Sequence, residues 1–153
     1  MIKKTIILML FLLLSSCGYE AIYSKKNSTN YDFFISELNF TGDRDVNLKI
    51  KEKLNNYTRI EKGKNFILNV SSSVNKTILA KDAAGKATSL KSTIIIDIEV
   101  LMKKGFETNL LITESFDYKN IVNKFDLERY EREIINNLTE TATDKLIFKL
   151  SNI

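Results

Sequence analysis

The chain has 153 residues, 23 Lys+Arg against 19 Asp+Glu, a single cysteine, and no histidine, tryptophan or proline. Without histidine, and with one cysteine, it cannot assemble a Ser-His-Asp triad, a Cys-His dyad, an intrachain disulfide or the usual zinc sites. Its length suits one ordinary domain, with stability drawn from packing alone.

The N-terminus carries Lys3 and Lys4, then nine consecutive apolar residues from Ile6 to Leu14, then Ser15, Ser16 and Cys17. A permanent membrane-spanning helix takes ~20 apolar residues, so this layout reads as a secretory signal over 1–16. Losing residues 1–16 would leave 137, and losing Lys3 and Lys4 with them would leave 21 basic against 19 acidic residues. The basicity that would support nucleic-acid binding largely goes with the signal, and no nucleic-acid partner is expected. Residues 17–30 hold no sustained period and turn polar, as expected of a tether, with Tyr19, Ile22 and Tyr23 able to sit at a bilayer interface or against a partner.

A single α+β domain is expected over 31–153. Asp32 to Phe40 alternates as a strand, with Phe34, Ser36, Leu38 and Phe40 on one side and Phe33, Ile35, Glu37 and Asn39 on the other. Thr41-Gly42-Asp43 breaks it, and Asp43 or Asp45 can cap a helix whose apolar positions Val46, Ile50, Leu54 and Tyr57 recur at helical offsets. A second strand runs from Phe66 toward Lys81, and Asp82-Ala83-Ala84-Gly85-Lys86 forms a hairpin tip with a glycine suited to positive φ. The third strand, Ala87 to Lys103, has the most sustained alternation: Leu90, Ile94, Ile96, Ile98, Val100 and Met102 share one face, interrupted by Ser92. Its other face mixes Thr93, Ile95, Asp97, Glu99 and Leu101, so one side is core and this strand is central.

A fourth strand carries Leu110, Ile112, Glu114, Phe116 and Tyr118. The period then becomes helical through Leu127, Tyr130, Ile134, Leu138, Ala142, Leu146 and Leu150, with Asp126 as the expected N-cap and Phe125 with Tyr130 as a hydrophobic staple. The order strand-helix-strand-strand-strand-helix predicts a four-stranded, mostly antiparallel sheet with both helices packed on one face. The expected core is Leu38, Ile50, Leu54, Leu68, Val70, Ile94, Ile96, Ile98, Ile112, Phe116, Ile134 and Leu138.

Around the tip, Lys76, Lys81, Lys86 and Lys91 face the single acid Asp82, a local charge near +3 in a domain otherwise close to neutral. Lysines at a solvated tip are ordinary in so lysine-rich a chain, and a binding patch requires them to converge. Lys81, Lys86 and Lys91 are the candidates for anionic ligands. No metal site and no cofactor motif is present, and without histidine or a G-x-S-x-G motif no hydrolase is expected.

Leu14-Ser15-Ser16-Cys17 resembles a bacterial lipobox, which implies diacylglycerol on the Cys17 thiol, cleavage before it and acylation of the freed amine. Anchoring of this kind needs no helix, because two or three acyl chains hold a protein to a bilayer where one is marginal. Gly18 stands where an aspartate tends to retain such lipoproteins in the inner membrane, which implies the outer membrane. With Cys17-Gly18-Tyr19, the Ala80-Lys81-Asp82 step into a Gly-containing tip, the long third strand and a Leu-rich closing helix, the chain resembles the LPS-assembly lipoprotein LptE family. The tether lacks the proline often seen soon after that family's cysteine. The resemblance implies a non-enzymatic lipoprotein that sits inside the outer-membrane β-barrel LptD, assists its assembly and helps lipopolysaccharide reach the outer leaflet. The alternative is another periplasm-facing lipoprotein, a lipid carrier or an accessory subunit of a phospholipid transporter, and a carrier would need an apolar cavity.

Overall fold

The structure, a computed structural model, describes residues 31–153 apart from positions 62, 103, 104 and 106. The signal, the lipobox with Cys17 and the tether lie outside the described residues. The elements are β1 (Phe33–Gly42), α1 (Arg44–Leu54), a 3-10 turn (Asn55–Tyr57), β2 (Lys64–Lys81), β3 (Ala87–Met102), β4 (Glu107–Lys119) and α2 (Lys124–Ser151). The strands form one sheet in the order β1-β2-β3-β4. β1 and β2 are parallel, while β2–β3 and β3–β4 are antiparallel. Parallel neighbours cannot be joined by a tight turn, so the chain between them needs a crossover, and α1 is that crossover. The α+β architecture expected from the periodicities is the one observed.

α1 starts where Gly42 ends β1. Gly42 has φ +92°, and a Cβ there would lie 1.9 Å from the Ser72 carbonyl oxygen, so only glycine allows the exit. Asp43 then caps the helix, its carboxylate accepting from the amides of Asp45 at 3.1 Å and Val46 at 3.0 Å. Val46, Ile50 and Leu54 are buried, and the α-helix ends at Leu54, before the expected Tyr57. Tyr57, in the 3-10 turn, stacks instead on Phe33 with ring centroids 4.7 Å apart.

The core lies between the helices and one sheet face. Phe66, Leu68 and Val70 on β2, Ile94, Ile96, Ile98 and Val100 on β3, and Ile112 on β4 are buried on this face, as are Ile134, Leu138, Ala142, Leu146 and Leu150 of α2, which packs on β3 and β4 while α1 packs on β1 and β2. The two helices are joined by Lys53 of α1, whose ammonium lies 2.6 Å from Asp144 and 3.8 Å from Glu140 of α2. Asn47 of α1 is buried but satisfied, accepting from the Ser72 hydroxyl at 2.7 Å and donating to the Thr41 carbonyl at 2.9 Å.

Three expectations are corrected. In β1, Ile35 pairs with Phe66 but Glu37 pairs with Ile67, so Ser36 is an extra residue whose hydroxyl donates to the Phe66 carbonyl at 3.2 Å. This bulge reverses the alternation, and Phe33, Ile35, Leu38 and Phe40 all take the helix-covered face, with Leu38 only half-buried. Phe116 has the expected phase yet remains 47% exposed, because β4 is the outer strand and one flank of the ring has no strand beside it. The N-cap of α2 is Asn123, whose side chain accepts from the Phe125 amide at 2.9 Å. That moves Asp126 into the first turn, where it pairs with Arg129 at 3.2 Å, and leaves Phe125 79% exposed rather than stapled to Tyr130.

Candidate functional site

The sheet is not rectangular. The last β1 pair is Gly42 with Ser72, but β2 continues for nine further residues to Lys81, and β3 returns from Ala87. The result is an arm flanked by β4 on one side only. Its turn is closed by Asp82, whose carboxylate accepts from the amides of Ala84 at 2.9 Å and Lys86 at 2.8 Å, while Gly85 takes φ +79°. The tip's single acid therefore serves the turn itself.

The four lysines divide. Lys76 projects from the helix-covered face and pairs with Glu131 of α2. Lys91 projects from the opposite face and pairs with Asp117 of β4 at 3.4 Å. Lys81 and Lys86 are exposed at the tip. Of the candidates Lys81, Lys86 and Lys91, the structure keeps two together at the end of the arm and ties the third lower down.

The arm is itself irregular near its tip, and one further segment meets it. Register shifts around Ala80 leave Leu79 and Thr88 without opposed partners, and Ile78 and Leu79 stay about half exposed. The connection from β4 to α2 is held against the arm by Asn120, whose amide donates to the Thr88 carbonyl at 3.0 Å and whose side chain donates to the Ala87 carbonyl at 2.8 Å. That connection carries Val122, fully exposed, and leads to the exposed Phe125. Lys119, at the end of β4, pairs in register with Ser89. One end of the domain thus combines exposed apolar side chains with Lys81, Lys86 and Lys119. Sequence periodicity missed the contribution of the β4–α2 connection; the signal was Ile121, Val122 and Phe125 standing outside both the strand and the helix pattern.

At the base of the arm, Tyr118 of β4 is 5% exposed, its ring set edge-on to Tyr130 with centroids 5.9 Å apart. Its hydroxyl lies 3.3 Å from the Ser92 hydroxyl and donates to Glu131 at 2.7 Å. Burial, with a smaller contribution from the nearby Glu131 carboxylate, pushes the phenol up to about 12. Glu131 therefore joins Lys76 on the arm to Tyr118 on β4, and fixes the start of α2 against both.

The sheet face away from the helices is covered by no element among the described residues. Asn39 donates to Glu37 and to Asn69, each at 3.0 Å, and Asn69 donates to Glu99 at 2.5 Å, a polar ladder across three strands. Beside it lies a shallow depression of about 360 Å³ lined by Thr41, Ser71, Asp97 and Asn109 as well as these asparagines. Ile67 and Leu101 pair across β2 and β3 on the same face, and Leu111 of β4 is 63% exposed. Among the described residues no group of acidic side chains is arranged to hold a metal ion, and no helix is long and apolar enough to cross a membrane.

This fold is shared with solved bacterial lipoproteins. The chain is similar in structure to the rare lipoprotein B from Shewanella oneidensis, with a TM-score of 0.62 and 13% identity over 76% of this chain and 94% of that one. It is also similar to lipoprotein B from Nitrosomonas europaea, with a TM-score of 0.53 and 10% identity over 78% and 83% of the two chains. A minor lipoprotein from Acinetobacter baumannii matches at a TM-score of 0.50 and 15% identity, over 74% and 94%. No protein-family model matches the chain, and comparison of its sequence with curated proteins finds no match.

Proposed function

We propose that this chain is a non-enzymatic lipoprotein, anchored in the outer membrane through acyl groups on Cys17, that acts as the LptE-like subunit of a lipopolysaccharide translocon. In that role it sits in the lumen of an LptD-like β-barrel, assists the barrel's assembly and helps lipopolysaccharide reach the outer leaflet. The observation that carries the reading is the fold shared with rare lipoprotein B over nearly the whole of that chain, downstream of the Leu14-Ser15-Ser16-Cys17 sequence.

The surfaces agree with it. A barrel of this kind has a polar interior, and the uncovered sheet face presents asparagine, serine and carboxylate groups with a few apolar ones among them. The lipid-carrier alternative is less well served, since the depression on that face is shallow and open and does not enclose an acyl chain. Lipid A offers phosphates beside acyl chains, and the end of the arm offers Lys81 and Lys86 beside Ile78, Leu79 and Val122.

Purification of the membrane-bound protein from detergent extracts tests the partnership: a large β-barrel should accompany it in one-to-one ratio, and its absence would overturn the reading. Cys17→Ser should block lipoprotein processing and leave the precursor; normal processing of that variant would overturn the anchor. Joint replacement of Lys81, Lys86 and Lys91 by glutamate should weaken binding to lipopolysaccharide at low ionic strength with the barrel complex intact. Unchanged binding would remove the lysines from the proposal.

A further inference from the structure

The sheet has two outer strands and one open arm, and they differ in how far they are protected from pairing with another strand. Exposed strand edges are blunted in natural proteins by bulges and by charges that point inward. β1 has its bulge at Ser36, and the open edge of β2 has irregular register around Ala80 and the helix-facing Lys76. β4 has neither an irregularity nor a glycine: its register with β3 runs unbroken from Glu107 to Lys119. The helix-facing charge on β4, Glu114, is already met by Lys145 at 2.5 Å.

The direction of its free hydrogen-bonding groups is settled by the pairing. The Asn120 amide donates to the Thr88 carbonyl, so even-numbered residues of this strand direct their amides and carbonyls toward β3. The odd-numbered residues Glu107, Asn109, Leu111, Thr113, Ser115, Asp117 and Lys119 therefore direct theirs outward. They are symmetric about Thr113. If a second copy approaches antiparallel with Thr113 opposite Thr113, all seven outward-facing residues find partners, whereas centring on Leu111 or Ser115 pairs only five. The Thr113 register also sets Glu107 opposite Lys119 of the second copy at both ends, and Asn109 opposite Asp117. On the helix-covered face it sets the exposed Phe116 opposite Leu110.

We propose that β4 is a docking edge for a second copy of this chain, forming a two-fold antiparallel β4–β4 pair centred on Thr113. The two sheets then become one of eight strands with four helices on the same face, because the two-fold axis runs normal to the sheet. The edge is self-complementary at its two ends, where Glu107 of each copy meets Lys119 of the other, and that pattern selects a copy of itself. The proposal stands apart from the barrel partnership: a closed barrel has no free strand edge to offer, so the pairing belongs to the chain on its own.

The test is sedimentation equilibrium of the full-length chain in density-matched detergent micelles, without any barrel protein. The wild type should show a monomer–dimer equilibrium reversed by dilution. Thr113→Pro removes the central outward amide, a substitution tolerated at such a position on an edge strand, and should yield a monomer with unchanged circular dichroism. Glu107→Lys and Lys119→Glu each place like charges opposite one another twice, and each should weaken the dimer about tenfold. The double variant Glu107→Lys/Lys119→Glu should restore wild-type affinity. A wild type that is monomeric at all concentrations, a dimer that survives Thr113→Pro, or a double variant as weak as the single ones would each overturn the proposal. If Thr113→Pro alters the circular dichroism, the charge-exchange series decides alone.

Discussion

Tyr118 on β4 donates a 2.7 Å hydrogen bond to Glu131 on α2, and the same carboxylate receives Lys76 from the arm of β2. The end of β4, the start of α2 and the arm of β2, more than forty residues earlier in the chain, are joined through one side chain. A phenol buried here is worth most while protonated, because it must donate to a carboxylate it would repel as phenolate.

The pH consequence follows in sign from that shift. The Tyr118 phenol is raised from 10.0 to about 12 in the folded protein, so its contribution is fully present below pH 10 and is lost as the pH climbs from 10 toward 12. Subtracting the ultraviolet titration of Tyr118→Phe from that of the wild type should leave one phenol ionising near pH 12. The variant should also lose less stability across that interval. A difference curve centred at the ordinary tyrosine value would contradict the arrangement.

Ile96 is 1% exposed at the centre of β3, while its neighbour Asp97 is exposed on the other face. Truncating a buried isoleucine costs ~2–5 kcal/mol, whereas surface changes stay within ~0.5 kcal/mol. Ile96→Ala should lower the melting midpoint by roughly 8 °C or more, and Asp97→Ala by roughly 2 °C or less. Equal effects would mean that the strand has the opposite phase.

Gly42 and Gly85 both have positive φ, +92° and +79°, but differ in space: a Cβ on Gly85 would meet nothing within 4 Å, and one on Gly42 would strike the Ser72 carbonyl. Alanine at Gly85 should cost only the left-handed strain, ~1–2 kcal/mol. At Gly42 the backbone of β2 must also move, so Gly42→Ala should cost more than Gly85→Ala in urea denaturation and bring the buried Asn47–Ser72 hydrogen bond down with it.

The cap of α2 separates two assignments directly. Asn123→Ala removes the acceptor for the Phe125 amide and should cost ~1 kcal/mol. Asp126→Ala removes only a first-turn charge and its exposed pair with Arg129, worth a few tenths to ~1 kcal/mol. Chemical denaturation of both variants orders the two effects, and a larger loss at Asp126 would return the cap to that residue.

Element type and order were legible in the chain because they depend on local period. Five apolar positions two apart, from Ile94 to Met102, mark β3, steps of three and four mark both helices, and Gly85 marks the tip, each readable without knowing what packs against it. The N-terminal Leu14-Ser15-Ser16-Cys17 pattern is likewise local. The side of β1 that meets the core was not, because strict alternation from Asp32 to Phe40 gives no sign of the extra residue at Ser36, which exists only against the register of β2. Nor could composition divide the four tip lysines. Lys76 meets a carboxylate on a helix more than fifty residues away, Lys91 meets one on the next strand, and only Lys81 and Lys86 are left exposed at the tip. Phe116 shows the same limit in apolar form: its period is that of a core residue, and its exposure comes from β4 standing last in the sheet. Period is a property of neighbours in sequence, whereas charge pairing, strand position and edge exposure belong to residues brought together from far apart, and those only the tertiary structure decides.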